Sequence, residues 1–378
     1  MRALFLFTAI AVVSLTLPMA SSAHTFPLYV GTGGDGIYIT EFDAHSGTLS
    51  QPKKVATTPR PTFLWIHRAA ESDVAKTLYS VCEVGDGKGA IVAWAIGDDG
   101  SLTQRSQQAA GGDITCFVST SRDGKYATVA NYGSGNSVSL FPIKADGSLG
   151  PASDTVQHVG SSVDKKRQLT THAHSSRFDP TDKRVLAADL GTDKVYVYDV
   201  GDDGSLQPGQ PAAINMAAGT GPRHFTFSPN NKYLLVLGEL AGTITTLRYD
   251  PPNIAPVETI STVAADFPAD AARHSAEILF HPNGKWVYAT NRGPSEIAVF
   301  DYDAASGKLK RTSAISSGGK HPRNFRFSPD GRFLLCANQH TNNIVVFSID
   351  QESGKLTKLA NEVSVDQPMC LKFLLPHE

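Results

Sequence analysis

An apolar run of seven residues recurs seven times along the 378-residue chain: IYITEFD at Ile37, IVAWAIG at Ile91, VSLFPIK at Val138, VYVYDVG at Val195, ITTLRYD at Ile244, IAVFDYD at Ile297 and IVVFSID at Ile344. The copies lie 47 to 57 residues apart. Gly-x-Leu turns follow most of them, at Gly47, Gly100, Gly147, Gly204, Gly307 and Gly354. The unit is clearest between Gly221 and Asp250. There RHFTF alternates in period two, SPNNK is a turn, YLLVL is an apolar strand, and TITTLRY alternates again. A unit of short strands alone cannot cover both its faces. Stacked radially, seven such units make the blades of an all-β, seven-bladed β-propeller. FPLYVGT near the start has no hairpin partner before it, and QPMCLKFLL near the end has nothing after it. Paired in one blade, these two strands close the ring and leave no open edge.

The even repeat leaves no room for a domain boundary, so residues 24–378 are expected to form one domain. Residues 1–23 are a different kind of segment. Arg2, the apolar run from Ala3 to Met19 and the small residues Ser21, Ser22 and Ala23 read as a secretory signal peptide. A retained anchor is the plainer alternative. Cleavage near Ala23 would leave a mature chain that begins near His24 and works in the periplasm or outside the cell. Lys and Arg number 34 against 36 Asp and Glu, which gives no electrostatic footprint for nucleic acid or a membrane surface. A monomer acting on a small molecule is expected. Cys82, Cys116, Cys336 and Cys370 all fall in strand runs of different repeats and read as buried thiols rather than disulfides or metal ligands.

In a propeller the innermost strands surround a central channel, and ligands gather at its mouth. Six residues before the turn proline of successive units stand His174, Arg223, Ala276 and Arg323; eight before it stand His172, Gly221, His274 and His321. Basic and imidazole groups thus recur where inner strands begin. The returning strand of each unit ends in a polar pair of positions. The first holds Asn131, Asp189, Gly238, Asn291 and Asn338; the second holds Tyr132, Leu190, Glu239, Arg292 and Gln339, with Glu83 level with Glu239. Asn and Asp at strand ends commonly bond loose backbone groups, the reading favoured for the first set. Glu239 and Arg292 break the pattern in adjacent units. A hairpin brings Arg223 at one strand's start beside Glu239 at the other's end. Together with His174 they form a candidate catalytic set. His172, His224, His274, His321, Arg323 and Asn131 are candidates for substrate binding.

The runs THAHSSRFDP, GPRHFTFSPNNKYLLVLGEL, YATNR and HPRNFRFSPDGRFLLCANQ, with LYSVCE, GGDITCFVS and VANYGSGNSVSLF, resemble the lactonase family of seven-bladed propellers over essentially the whole mature chain. That family includes propeller-type 6-phosphogluconolactonases and carboxy-muconate lactonising enzymes. The resemblance implies an active site of one His, two Arg and one Glu at the channel mouth, carried here by His174, Arg223, Arg292 and Glu239. Gly238 departs from the Asn that relatives commonly have before the Glu.

A lactone is a cyclic ester, so its hydrolysis needs an activated water and a cationic partner for the oxyanion. His174 or Glu239 is expected to take the water's proton. His174, at an ordinary imidazole pKa of ~6.5, suits that role at neutral pH. Arg223 and Arg292 would hold the carbonyl oxygen or a substrate anion, and Arg323 with His321 a phosphate or carboxylate further round. The scheme needs no metal or cofactor. Glu83, Asn131, Asp189 and Asn338 are an alternative set for a divalent ion. The expected function is a 6-phosphogluconolactonase-like hydrolase. Its alternatives are an exported lactonase or cycloisomerase for an unphosphorylated or muconate-type lactone, and a non-catalytic binding module.

Overall fold

The computed structural model describes residues 24–67 and 76–375. The segment read as a signal peptide lies outside them. Seven antiparallel sheets follow one another along the chain, and their innermost strands are Pro368–Phe373, Leu64–Ile66, Thr115–Thr120, Ala173–Phe178, Pro222–Phe227, Ser275–Phe280 and Pro322–Phe327. Each of these touches the next around the channel, and Pro368–Phe373 touches Leu64–Ile66, which closes the ring. The seven recurrent apolar runs are the third strands of these blades, from Gly36–Asp43 to Asn343–Ile349.

The two chain ends meet as the repeat requires. Pro368–Phe373 pairs antiparallel with Thr25–Thr32, so the last strand of the chain is the innermost strand of the first blade. Between blades the faces bury apolar side chains against one another. Leu235 and Leu237 of the fifth blade pack against Val287, Ala289 and Phe300 of the sixth, all at or near zero exposure. Truncating a side chain such as Leu235 to Ala would cost about 2–5 kcal/mol. The Gly-x-Leu turns lock neighbouring blades. Tyr29, Tyr79 and Tyr288 donate their hydroxyls to the carbonyls of Gly100, Gly147 and Gly354 in the following blade, at 2.9, 2.9 and 2.6 Å. These glycines have φ of 78°, 81° and 69°, a left-handed conformation that a side chain would strain. The four cysteines are buried and free.

One local irregularity aims the channel residues. In six blades the register of the innermost hairpin slips beside the strand's second residue: Met369, Cys116, His174, Arg223, Ala276 with Glu277, and Arg323 each stand where two residues oppose one. A β-bulge turns the extra side chain off the sheet's regular alternation. Met369, Cys116, His174, Arg223 and Arg323, with Thr62 of the second blade, line one small cavity in the channel.

Candidate active site

Glu239 is the hub of the mouth. The backbone N–H of Glu239 donates to the carbonyl of Gly221 at 2.8 Å, and the same bond recurs at Glu83, Tyr132, Leu190, Arg292 and Gln339. Strand-end residues of the blades are therefore structurally equivalent, and Glu83 is level with Glu239. The Glu239 carboxylate, 3% exposed, meets three guanidinium groups. Arg167 Nη2 donates to Oε1 at 2.8 Å, while Arg223 Nε and Arg292 Nη2 stand 3.1 and 2.7 Å from Oε2. The last two contacts are close charge pairs between buried groups whose N–H directions are poorly aligned on the shared oxygen. Burial alone would raise the Glu239 pKa, but Arg292, Arg223 and Arg167 outweigh it and hold the carboxyl far below its usual range.

Arg223 is 2% exposed. Its Nη1 donates to the Ala276 carbonyl and to His224 Nε2, the latter at 3.3 Å. Burial, then the Arg292 and Arg323 charges, push its pKa down to about 9. A cation this crowded is relieved by an arriving anion. His224 donates from Nδ1 to Glu277 Oε1 at 2.9 Å, which leaves Nε2 as the acceptor facing Arg223. Glu277 also accepts from Asn324. His174, 5% exposed, lies edge-on to His224 and Tyr132 at ring separations of 5.3 and 5.6 Å. The Tyr132 hydroxyl accepts from Arg167 at 3.0 Å and so ties His174's surroundings to Glu239. Burial and then the Arg223 charge drive the His174 pKa well below 6.5, so the ring is neutral at neutral pH. The ordinary imidazole pKa expected from sequence does not hold. The cavity bounded by His174, Arg223, His224 and Arg323 has a volume of about 10 Å³, the room of about one water.

The remaining candidates divide. His274 gives its carbonyl to Arg292 Nε at 2.9 Å, and His321 Nε2 lies 3.5 Å from Arg292 Nη1. His321 stacks on His340 at 4.0 Å, and burial and Arg292 push its pKa down to about 3. His172 stacks on Tyr132 at 4.4 Å and donates to its carbonyl at 2.8 Å. Arg323 faces Glu83 at 3.8 Å, and Arg60 approaches the same carboxylate at 3.6 Å. Asn131 closes its own strand end: Nδ2 donates to the carbonyls of Ala110 and Asn136, so both amide hydrogens are taken. Asp189 accepts from three backbone N–H groups and from His158, and Asn338 donates to Ser317. The alternative metal set is thus engaged at separate places. Sequence reasoning missed Arg167. It lies on the segment between the third and fourth blades, outside the repeat ladder, and only the widest repeat spacing, Val138 to Val195, marks that insertion.

The chain belongs to the seven-bladed β-propeller lactonase family, whose model matches residues 26–373. It is 37% identical over 353 residues to the 6-phosphogluconolactonase of Bacillus subtilis, covering 92% of this chain and 97% of that one. A 6-phosphogluconolactonase of Formosa agariphila is 34% identical over 289 residues, 73% of this chain and 78% of its own length. Among solved structures, the periplasmic gluconolactonase of Pseudomonas aeruginosa superposes with a TM-score of 0.86 at 32% identity, covering 92% of this chain and 99% of that one.

Proposed function

We propose that the protein is a lactonase, a carboxylic ester hydrolase that opens a sugar lactone, with 6-phospho-glucono-1,5-lactone as the first substrate to consider. The observation that carries this reading is the pair of buried guanidinium groups, Arg223 and Arg292, held 3.1 and 2.7 Å from one oxygen of an ionised Glu239 but poorly aligned on it. As water adds to the lactone carbonyl, its oxygen gains negative charge, and these two donors receive it in a site already shielded from solvent. His174 is neutral and takes the water's proton. The tetrahedral intermediate then breaks the ring C–O bond, and His174 returns the proton to the leaving alkoxide. Glu239, weakened as a base by three cations, holds the two arginines in place. Arg323 and His321 lie further round for a substrate phosphate, and His172 and His274 flank the mouth.

A second reading has support of its own. The apolar N-terminus ending in Ser21-Ser22-Ala23, with the likeness to a periplasmic gluconolactonase, favours an exported enzyme acting on an unphosphorylated lactone. A proton-release assay on the chain from His24 separates the two, run with 6-phosphogluconolactone and gluconolactone against their spontaneous rates. Turnover of the phosphorylated lactone supports the first reading, and turnover of the plain lactone alone supports the second. Spontaneous rates with both substrates would overturn the hydrolase assignment.

A further inference from the structure

The innermost strands carry a second ring of inward residues at the far end of the channel. Three positions beyond His174, Arg323 and Met369 stand Arg177, Arg326 and Lys372, and three beyond Thr62 stands Trp65. These four line a cavity of about 560 Å³ that opens between the turns following the innermost strands, walled by Ile66, Leu279, Phe280, Phe327 and Phe373. That is the size of a metabolite site. Between it and the catalytic mouth, Phe63 stacks on Phe117 at 4.2 Å, and His224 meets both rings edge-on at 5.8 and 5.2 Å.

Among the described residues the cavity lining contains four cations, the exposed Arg122 at the rim and Arg177, Arg326 and Lys372 deeper in, and no carboxylate. Arg177 Nη1 donates to the Phe225 carbonyl at 3.0 Å, and Arg326 Nε to the Leu371 carbonyl at 3.1 Å, which leaves the rest of each fork uncommitted among the described residues. Lys372 is 8% exposed. Its Nζ has no oxygen partner among the described residues and rests only over the rings of Trp65 and Phe63, at 4.6 and 4.9 Å. Glu277, the carboxylate whose charge acts on Lys372, is already bonded to His224 and Asn324. An ammonium buried this far without a counter-ion is costly to the fold. Burial accordingly drives the Lys372 pKa well below its usual value, and that of Arg177 down to about 10.

We propose that this second mouth is a binding site for a small organic phosphate, distinct from the catalytic mouth. Two guanidinium forks and one ammonium match a dianion, and the aromatic and aliphatic walls accept the body that carries it. Phenyl phosphate is a suitable probe, titrated by calorimetry and by tryptophan fluorescence, with inorganic phosphate in parallel. The expected result is saturable binding of phenyl phosphate, tighter than inorganic phosphate. Lys372→Met and Arg326→Gln should each weaken it by about tenfold or more, the scale of a lost charge-assisted bond. Arg292→Lys, at the other mouth, should leave it unchanged. Arg326 is half-buried, so Arg326→Gln carries the test if Lys372→Met does not fold. Absence of saturable binding to the wild-type protein overturns the proposal. So does undiminished binding by both variants, or a loss produced by Arg292→Lys instead.

Discussion

Three guanidinium groups around one carboxylate set the behaviour of the mouth at the scale of single residues. Arg292→Lys keeps the charge but not the planar fork, so one nitrogen can no longer serve both Glu239 and a developing oxyanion. The expected loss is about 100-fold in kcat, the scale of a missing oxyanion donor, with an unchanged circular dichroism spectrum. A near wild-type kcat would remove Arg292 from that role. Glu239→Gln leaves two buried cations and the partly exposed Arg167 around a neutral amide and is expected to abolish turnover while lowering the melting temperature, because a broken buried pair costs about 3–5 kcal/mol. Wild-type turnover in Glu239→Gln would sink the assignment of Glu239. His174 carries a separate prediction. Because its pKa lies well below 6.5, its base form persists as the pH falls, and the acid limb of kcat/KM should lie well below pH 6.5. A limb centred at 6.5 or above would point to a different base.

Elements outside the repeat matter as much as those within it. The segment from Gln157 to His172 departs from the blade pattern, carries Val159, Val163 and Leu169 at 81%, 57% and 67% exposure, and delivers Arg167 to Glu239. Arg167→Ala should lower kcat or raise KM while leaving the melting temperature nearly unchanged, since Arg167 is the most solvent-open of the three guanidinium partners. Steady-state kinetics beside a thermal melt checks this, and unaltered kinetics would confine Arg167 to packing. The contrast shows what was legible beforehand. Repeat alignment placed Arg223 opposite Glu239 because a hairpin dictates that neighbourhood, and the slipped register at Pro222 and His224 supplied the aim. It could not find Arg167, which no repeat position predicts. The basic ring at the far mouth did leave a trace: Arg177-Phe178, Arg326-Phe327 and Lys372-Phe373 repeat a basic residue before phenylalanine at equivalent strand ends. That trace went unread because period-two alternation across the bulge is broken, so side-chain direction could not be counted from the strand's start. Nor could the His174 pKa be read from sequence, since it depends on burial and on the charges of Arg223, His224, Arg323 and Arg292 from other blades.

For the whole molecule, the channel makes acid stability a property of the closed ring. Five histidines face surroundings that disfavour their charge: burial lowers the pKa of His67, His174, His274 and His321, and lowers His224 to about 4 although Glu277 opposes it. A folded-state pKa below the unfolded value of ~6.5 means that the unfolded chain binds more protons between the two. This contribution is complete above the unfolded pKa and is lost as the pH falls through the folded one. Glu277, lowered to about 2 by His224 against the effect of burial, and Glu239, lowered further, act with the same sign below the ordinary carboxylate pKa. The melting temperature should therefore fall steadily from pH 7.5 to pH 4, first as histidines would charge in the unfolded chain and then as carboxylates would protonate there. Because the seven innermost strands close on one another through the pairing of Thr25–Thr32 with Pro368–Phe373, the loss is expected as one cooperative transition moving to lower temperature. Differential scanning calorimetry across that range is the check. A melting temperature that is flat or rises between pH 7 and pH 5 would mean that the channel histidines are charged in the folded protein, and it would remove the neutral His174 on which the proposed chemistry depends.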